Sequence, residues 1–139
     1  MSEPFISFQL AVSDLNTTEA FYRGLLDVPF YRAVTVRGAP EHLVLKRDGW
    51  EVLFVEEDAV MRNHPILEET MSTFPKGVGF TIHLKVEGIE EIYEALIVEE
   101  LQILYPLHEK PYGMKELWCL DPDGYVVILE EPTTRRSRG

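Results

Sequence analysis

Gln9, His83 and Glu130 are the side chains of this sequence whose types and settings offer chemistry. Carboxamide, imidazole and carboxylate are donors that a hard or borderline divalent cation accepts. A His and a Glu within reach of each other also make a general acid–base pair. The plainer interpretation is that His83 lines a pocket or is satisfied by a hydrogen bond, and that Glu130 begins an exposed acidic end, Glu130-Glu131. His42, His64 and His108 fall in strand-edge or loop contexts and read as solvated. Cys119 lies in an apolar stretch between Trp118 and Leu120, which suits inert packing better than nucleophilic attack. The sequence has no nucleophile elbow, phosphate-binding loop, dinucleotide fingerprint or HExxH zinc motif.

The elements that must position these residues repeat. In Phe5 to Val12, the apolar Ile6, Phe8, Leu10 and Val12 alternate with Ser7, Gln9 and Ala11, the period of a strand with one packed face. Ser13-Asp14-Leu15-Asn16 offers helix caps, and Leu15, Ala20, Phe21, Tyr22, Leu25 and Leu26 follow at helical spacing. Three strand-like runs come next, Phe30 to Val36, His42 to Lys46 and Trp50 to Val55, divided by Gly38-Ala39-Pro40 and Asp48-Gly49. Glu56 to Gly77 reads as a connector with a short helix around Ile66 to Met71.

The pattern then returns. Phe80, Ile82, Leu84 and Val86 alternate with Thr81, His83 and Lys85, and Ile89, Ile92, Tyr93 and Leu96 mark an amphipathic helix. Three strands follow near Leu101 to Tyr105, Met114 to Leu120 and Tyr125 to Glu130, with the turn Asp121-Pro122-Asp123-Gly124 before the last. The run Asp48 to Val55 echoes Asp123 to Glu130. The expected architecture is α+β: two βαβββ modules, residues 4–57 and 78–132, with a connector at 58–77 and a basic, disordered tail at 133–139. Each module is too small to bury a sufficient core alone, so the two are expected to form one curved mixed sheet with helices on its convex side. Phe8, Phe21, Trp50, Phe54 and Phe80 are expected in the helix–sheet core, while Trp118 is ambiguous in parity.

Composition narrows the function. The 139 residues carry 13 Lys+Arg against 24 Asp+Glu, a formal charge of −11, which opposes binding to nucleic acid or an anionic membrane. The tail residues Arg135, Arg136 and Arg138 are too few to reverse that. A single cysteine allows no internal disulfide, and no secretory signal or membrane-spanning apolar run is evident, so a cytoplasmic location is expected.

The sequence resembles the vicinal oxygen chelate proteins, which include glyoxalase I, extradiol dioxygenases, and fosfomycin and bleomycin resistance proteins. The residues that carry the resemblance are Val12-Ser13-Asp14-Leu15, Phe21-Tyr22-Arg23-Gly24-Leu25-Leu26, Lys110 to Glu116 and Asp121-Pro122-Asp123-Gly124-Tyr125, and it covers roughly residues 4 to 132. Asp27 and Glu100 stand where family members often have a glycine after each helix, so those turns are expected to run differently.

In that family most enzymes hold a divalent metal through His, Gln and Glu on the first and last strands of each module. Carried over by position, those ligands fall on Ser7, Leu53, Thr81 and Ile128, which cannot assemble such a site. The resemblance therefore points to the metal-free, bleomycin-resistance-like branch: no cofactor, and a small organic molecule, a cationic one being admissible, bound in the concave face. The ligand-binding residues would be Phe5, Ser7, Gln9, Leu53, Thr81, His83, Tyr112, Trp118, Ile128 and Glu130. Family members of this size commonly dimerise, which implies a homodimer. Two alternatives stand beside this one. Gln9, His83 and Glu130 each lie two residues beyond the family positions, about 6.6 Å or one pleat repeat along, and would hold one divalent ion in a displaced site of a lyase, isomerase or dioxygenase; Val55 fills the fourth place. The other alternative is a scaffold whose cup is filled by its own side chains.

Overall fold

The alternation of the first segment becomes β1 (Ile6–Val12), in a computed structural model that describes residues 6–33, 41–47, 49–71 and 73–133. Phe5, the turn Gly38-Ala39-Pro40, Asp48 and the basic residues of the tail lie outside the described residues. The chain divides into two units, residues 1–74 and 75–139.

In the first unit, Asp14 caps the helix that follows β1 by accepting the Asn16 N–H at 2.8 Å. This helix, α1 (Leu15–Glu19), continues as a π-helical turn over Ala20–Leu25. The strands β2 (Tyr31–Ala33), β3 (His42–Arg47) and β4 (Trp50–Glu56) complete a sheet of order β1-β4-β3-β2, with β1 parallel to β4 and the other neighbours antiparallel. Register puts Leu10 opposite Phe54 and Phe54 opposite Leu43, all buried on one face. Tyr22 stacks on Phe30 at 5.1 Å and meets Phe54 at 5.1 Å, with Phe21 edge-on at 4.8 Å. Each such ring pair adds about 0.5–1.5 kcal/mol beyond its buried area. Phe21 and Phe54 are the core residues expected of them, but Phe8 is 43% exposed and Trp50 37%. They lie at the end of the face where β1 and β4 pair Ile6 with Trp50 and Phe8 with Val52. Packing in the unit is concentrated at the Leu10–Val12 end.

The connector holds more structure than its sequence suggested. Helix α2 (Glu57–Asn63) starts directly after β4, followed by a 3₁₀ turn at Pro65–Leu67 and by α3 (Glu68–Met71). Glu57 and Asp58 fall in the first turn of α2, where their charges favour the helix through its dipole. His64-Pro65 then stops it.

In the second unit β5 (Thr81–Lys85), α4 (Ile89–Val98), β6 (Ile103–Lys110), β7 (Met114–Leu120) and β8 (Val126–Pro132) repeat the arrangement, with sheet order β5-β8-β7-β6 and β5 parallel to β8. Ile89, Ile92 and Leu96 of α4 are buried, as are Leu117, Cys119, Val127 and Leu129 on one face of the sheet. Strand β6 runs past the expected end at Tyr105 to Lys110, with register shifts between Ile103 and Tyr105 and between Tyr105 and His108. Pro106, lacking an N–H, sits in the second shift.

The turn before β8 is held from within, as Asp121 Oδ1 accepts the N–H groups of Asp123 at 2.9 Å and Tyr125 at 3.0 Å. The two non-glycine turns after the helices keep a glycine-like backbone, contrary to expectation: φ is 60° at Asp27 and 61° at Glu100. Both residues take the left-handed conformation that glycine adopts without steric cost.

Candidate functional site

In the first unit Ser7, Gln9 and Leu53 share one face, since Ser7 pairs with Glu51 and Gln9 with Leu53. Ser7 Oγ donates to Glu51 Oε2 at 3.1 Å. Between this face and α2 lies a pocket of about 170 Å³ lined by Gln9, Val55, Ala59, Val60, Asn63 and His64. Four of those six residues come from α2 and the residue after it, so the helix that the sequence reading missed supplies most of the wall. His64, which read as solvated, lines it as well.

In the second unit Thr81, His83, Ile128, Trp118 and Glu130 lie on the face opposite α4. Register places His83 beside Ile128, Ile128 beside Trp118, and Glu130 beside Glu116. Trp118 is half-buried, and its ring meets Tyr105 edge-on at 5.1 Å. The bulge at Pro106 sets Tyr105 opposite Trp118 and His108 opposite Glu116, so that Pro106 and Leu107 of β6 stand against Leu117 alone of β7. Tyr112 is in the β6–β7 turn, 70% exposed.

A polar row crosses this sheet. His83 Nε2 lies 3.0 Å from Glu130 Oε2, and the Glu116 carboxylate completes a set of three donor atoms within 4.8 Å of one another. Glu116 is only 6% exposed. Its Oε1 accepts from Trp118 Nε1 at 3.2 Å and from Lys110 Nζ at 3.2 Å, and His108 Nε2 is 3.9 Å away. Burial pushes the Glu116 carboxyl up, but the hydrogen bonds from Trp118 and Lys110, helped by the Lys110 and His108 charges, outweigh it and hold the group below its ordinary value. Glu116 in turn raises the Lys110 ammonium. The sequence reading missed Glu116, Lys110, Tyr105 and His108.

The metal arrangement implied by the family does not fit these residues. Ser7 bonds a neighbouring carboxylate, Ile128 is buried, and neither Leu53 nor Ile128 has a donor atom. Cys119 is equally unsuited to attack, its thiol being pushed up to about 12 by burial and by the Asp121 charge. Among the described residues no helix is long and apolar enough to cross a membrane.

Comparison with solved structures gives the same fold. A hypothetical protein of S. aureus superposes with a TM-score of 0.64 at 14% identity, covering 94% of each chain. A glyoxalase-related enzyme from Fulvimarina pelagi gives 0.63 at 16% identity, covering 94% of this chain and 88% of that one. A superfamily member from Sphaerobacter thermophilus gives 0.59 at 21% identity, covering 94% and 98%. Identities this low establish the fold alone. No curated protein matches the sequence. The sequence profile of one family does match, over residues 5–129, and with it the chain belongs to the Glyoxalase/Bleomycin resistance protein/Dioxygenase superfamily.

Proposed function

We propose that this protein is a small-molecule-binding member of the superfamily, resembling its bleomycin resistance branch, that works without a metal at the family positions. The observation that carries this reading is the identity of the side chains at Ser7, Leu53, Thr81 and Ile128, a set that cannot chelate a metal and with it the adjacent oxygens of a substrate. The surroundings suit binding. The Gln9 pocket combines apolar walls with carboxamide and imidazole groups, and the second sheet sets Tyr105 and Trp118 beside carboxylates. That mixture favours a small organic molecule, a cationic one included, over a nucleic acid, which the charge of −11 repels. We take the working form to be a cytoplasmic homodimer. A lyase, isomerase or dioxygenase built on the family metal loses its basis at the same four positions. An open pocket beside Gln9 disfavours a purely structural scaffold.

A thermal-shift screen of small molecules in the presence of a chelator tests this function. Saturable stabilisation by one compound class, lost in Trp118→Ala or Gln9→Ala, supports it. The absence of any stabilising compound, or stabilisation unaffected by both substitutions, overturns it.

A further inference from the structure

We propose that His83, Glu116 and Glu130 form a divalent transition-metal site on the second sheet, one pleat repeat away from the family positions on β5 and β8. The inference stands on this unit alone and does not depend on the small-molecule reading.

The donor set fits such an ion. One imidazole and two carboxylates are the mixture that Mn²⁺, Fe²⁺, Co²⁺ or Zn²⁺ accepts, whereas Mg²⁺ prefers oxygen alone. Ligand atoms around a first-row ion with bonds near 2.1 Å are roughly 3.0–3.5 Å apart. His83 Nε2 and Glu130 Oε2 already stand 3.0 Å apart, and all three donors lie within 4.8 Å, so closure on an ion needs only small side-chain rotations. An imidazole that carries its proton on Nδ1 presents the Nε2 lone pair toward Glu130, where the ion would sit.

The site is also built. His83, Glu130 and Glu116 come from three hydrogen-bonded strands, and Glu116 is fixed by Trp118 Nε1. An indole holding a ligating carboxylate is the kind of outer partner that orients metal ligands. Lys110 on Glu116 is the feature that opposes a cation, and His108, 3.9 Å from the same oxygen, is the nearest further donor. Three protein donors leave coordination positions open to water or to oxygens of a bound molecule. Gln9, the third residue of the displaced site suggested by sequence, lines the pocket of the first unit.

Titrating the chelator-treated full chain with cobalt(II), followed by visible absorption and calorimetry, decides the matter. Expected are equimolar saturation, a visible band reporting the imidazole, and affinity at least about tenfold weaker in both His83→Ala and Glu130→Gln, with His42→Ala unchanged. Lys110→Gln tightens binding by removing the competing cation. Far-UV circular dichroism of each variant confirms folding, and because His83 is exposed, its variant stays informative even if a substitution at buried Glu116 fails to fold. No saturable cobalt binding, binding that survives both substitutions, or magnesium binding as tight as cobalt overturns the proposal. Compound stabilisation in chelator stands or falls separately.

Discussion

The Ile89 N–H at the start of α4 donates to Glu131 Oε1 at 3.0 Å, the carboxylate reaching across from the end of β8. Oε2 of the same group accepts the Gly88 N–H at 3.0 Å. The first unit repeats the device, where Leu15 N–H at the start of α1 donates to Glu56 Oε2, at the end of β4, at 3.1 Å. A carboxylate on the last strand thus satisfies amide donors that each helix leaves open and complements its dipole. Glu131→Ala is expected to lower stability by about 1–2 kcal/mol. Glu56→Ala, which removes one such bond instead of two, is expected to cost less. Urea unfolding of the two variants against wild type makes the comparison.

Glu116 gives the fold an acid-sensitive contribution. Its carboxyl is held below the ordinary value of 4.5, so the ionised group stabilises the fold above that value and the contribution disappears as pH falls through the folded-state value. Glu116→Gln is expected to cost on the order of 1–3 kcal/mol near neutrality, leaving Lys110 without its carboxylate. Melting temperatures measured from pH 7 down to about pH 3 should show wild type and variant converging at the acid end. A gap that stays constant would assign the effect to packing instead.

Cys119 should be silent in the folded protein. With its thiol pushed up to about 12 and its side chain fully buried, almost no thiolate is present or accessible at pH 8. A thiol reagent such as Ellman's is expected to leave the native chain unmodified and to react fully in urea. Cys119→Ser, which puts a hydroxyl on the apolar face, is expected to cost about 1–3 kcal/mol in unfolding free energy.

Glycine at either left-handed turn should stabilise the chain. The backbone at Glu100, φ 61°, strains a long side chain more than the same backbone at Asp27 strains a short polar one. Glu100→Gly is expected to gain up to about 1 kcal/mol and Asp27→Gly less. Calorimetric melting of both variants gives the order.

These turns show what a sequence yields and what it withholds. Alternation between Ile6 and Val12 and between Thr81 and Lys85 depends only on neighbouring residues, and both stretches are strands. The cap at Asp14 and the turn at Asp121 are likewise local. Glu116 was overlooked because nothing in Met114-Lys115-Glu116-Leu117-Trp118 sets it apart. Its role comes from register: Glu130 lies beside it on β8 and His108 on β6. Since a one-residue slip reverses every side chain, a residue whose role depends on cross-strand register cannot be identified from its own segment. His108 was doubly hidden, because its placement follows from the bulge at Pro106. Phe8 and Trp50 have strand parity that suits burial, but parity cannot say how far along a face the packing extends.

The irregular β6 has a consequence for solution behaviour. It is the terminal strand of its sheet, and a terminal strand offers unpaired backbone groups to any extended chain that meets it. Pro106 offers no donor there, and the register shifts on either side of Tyr105 break the straight run of hydrogen-bonding groups that an added strand would need. These features make this border a poor template for β-addition. Replacing Pro106 with a β-branched residue is expected to raise aggregation, read as light scattering on prolonged incubation.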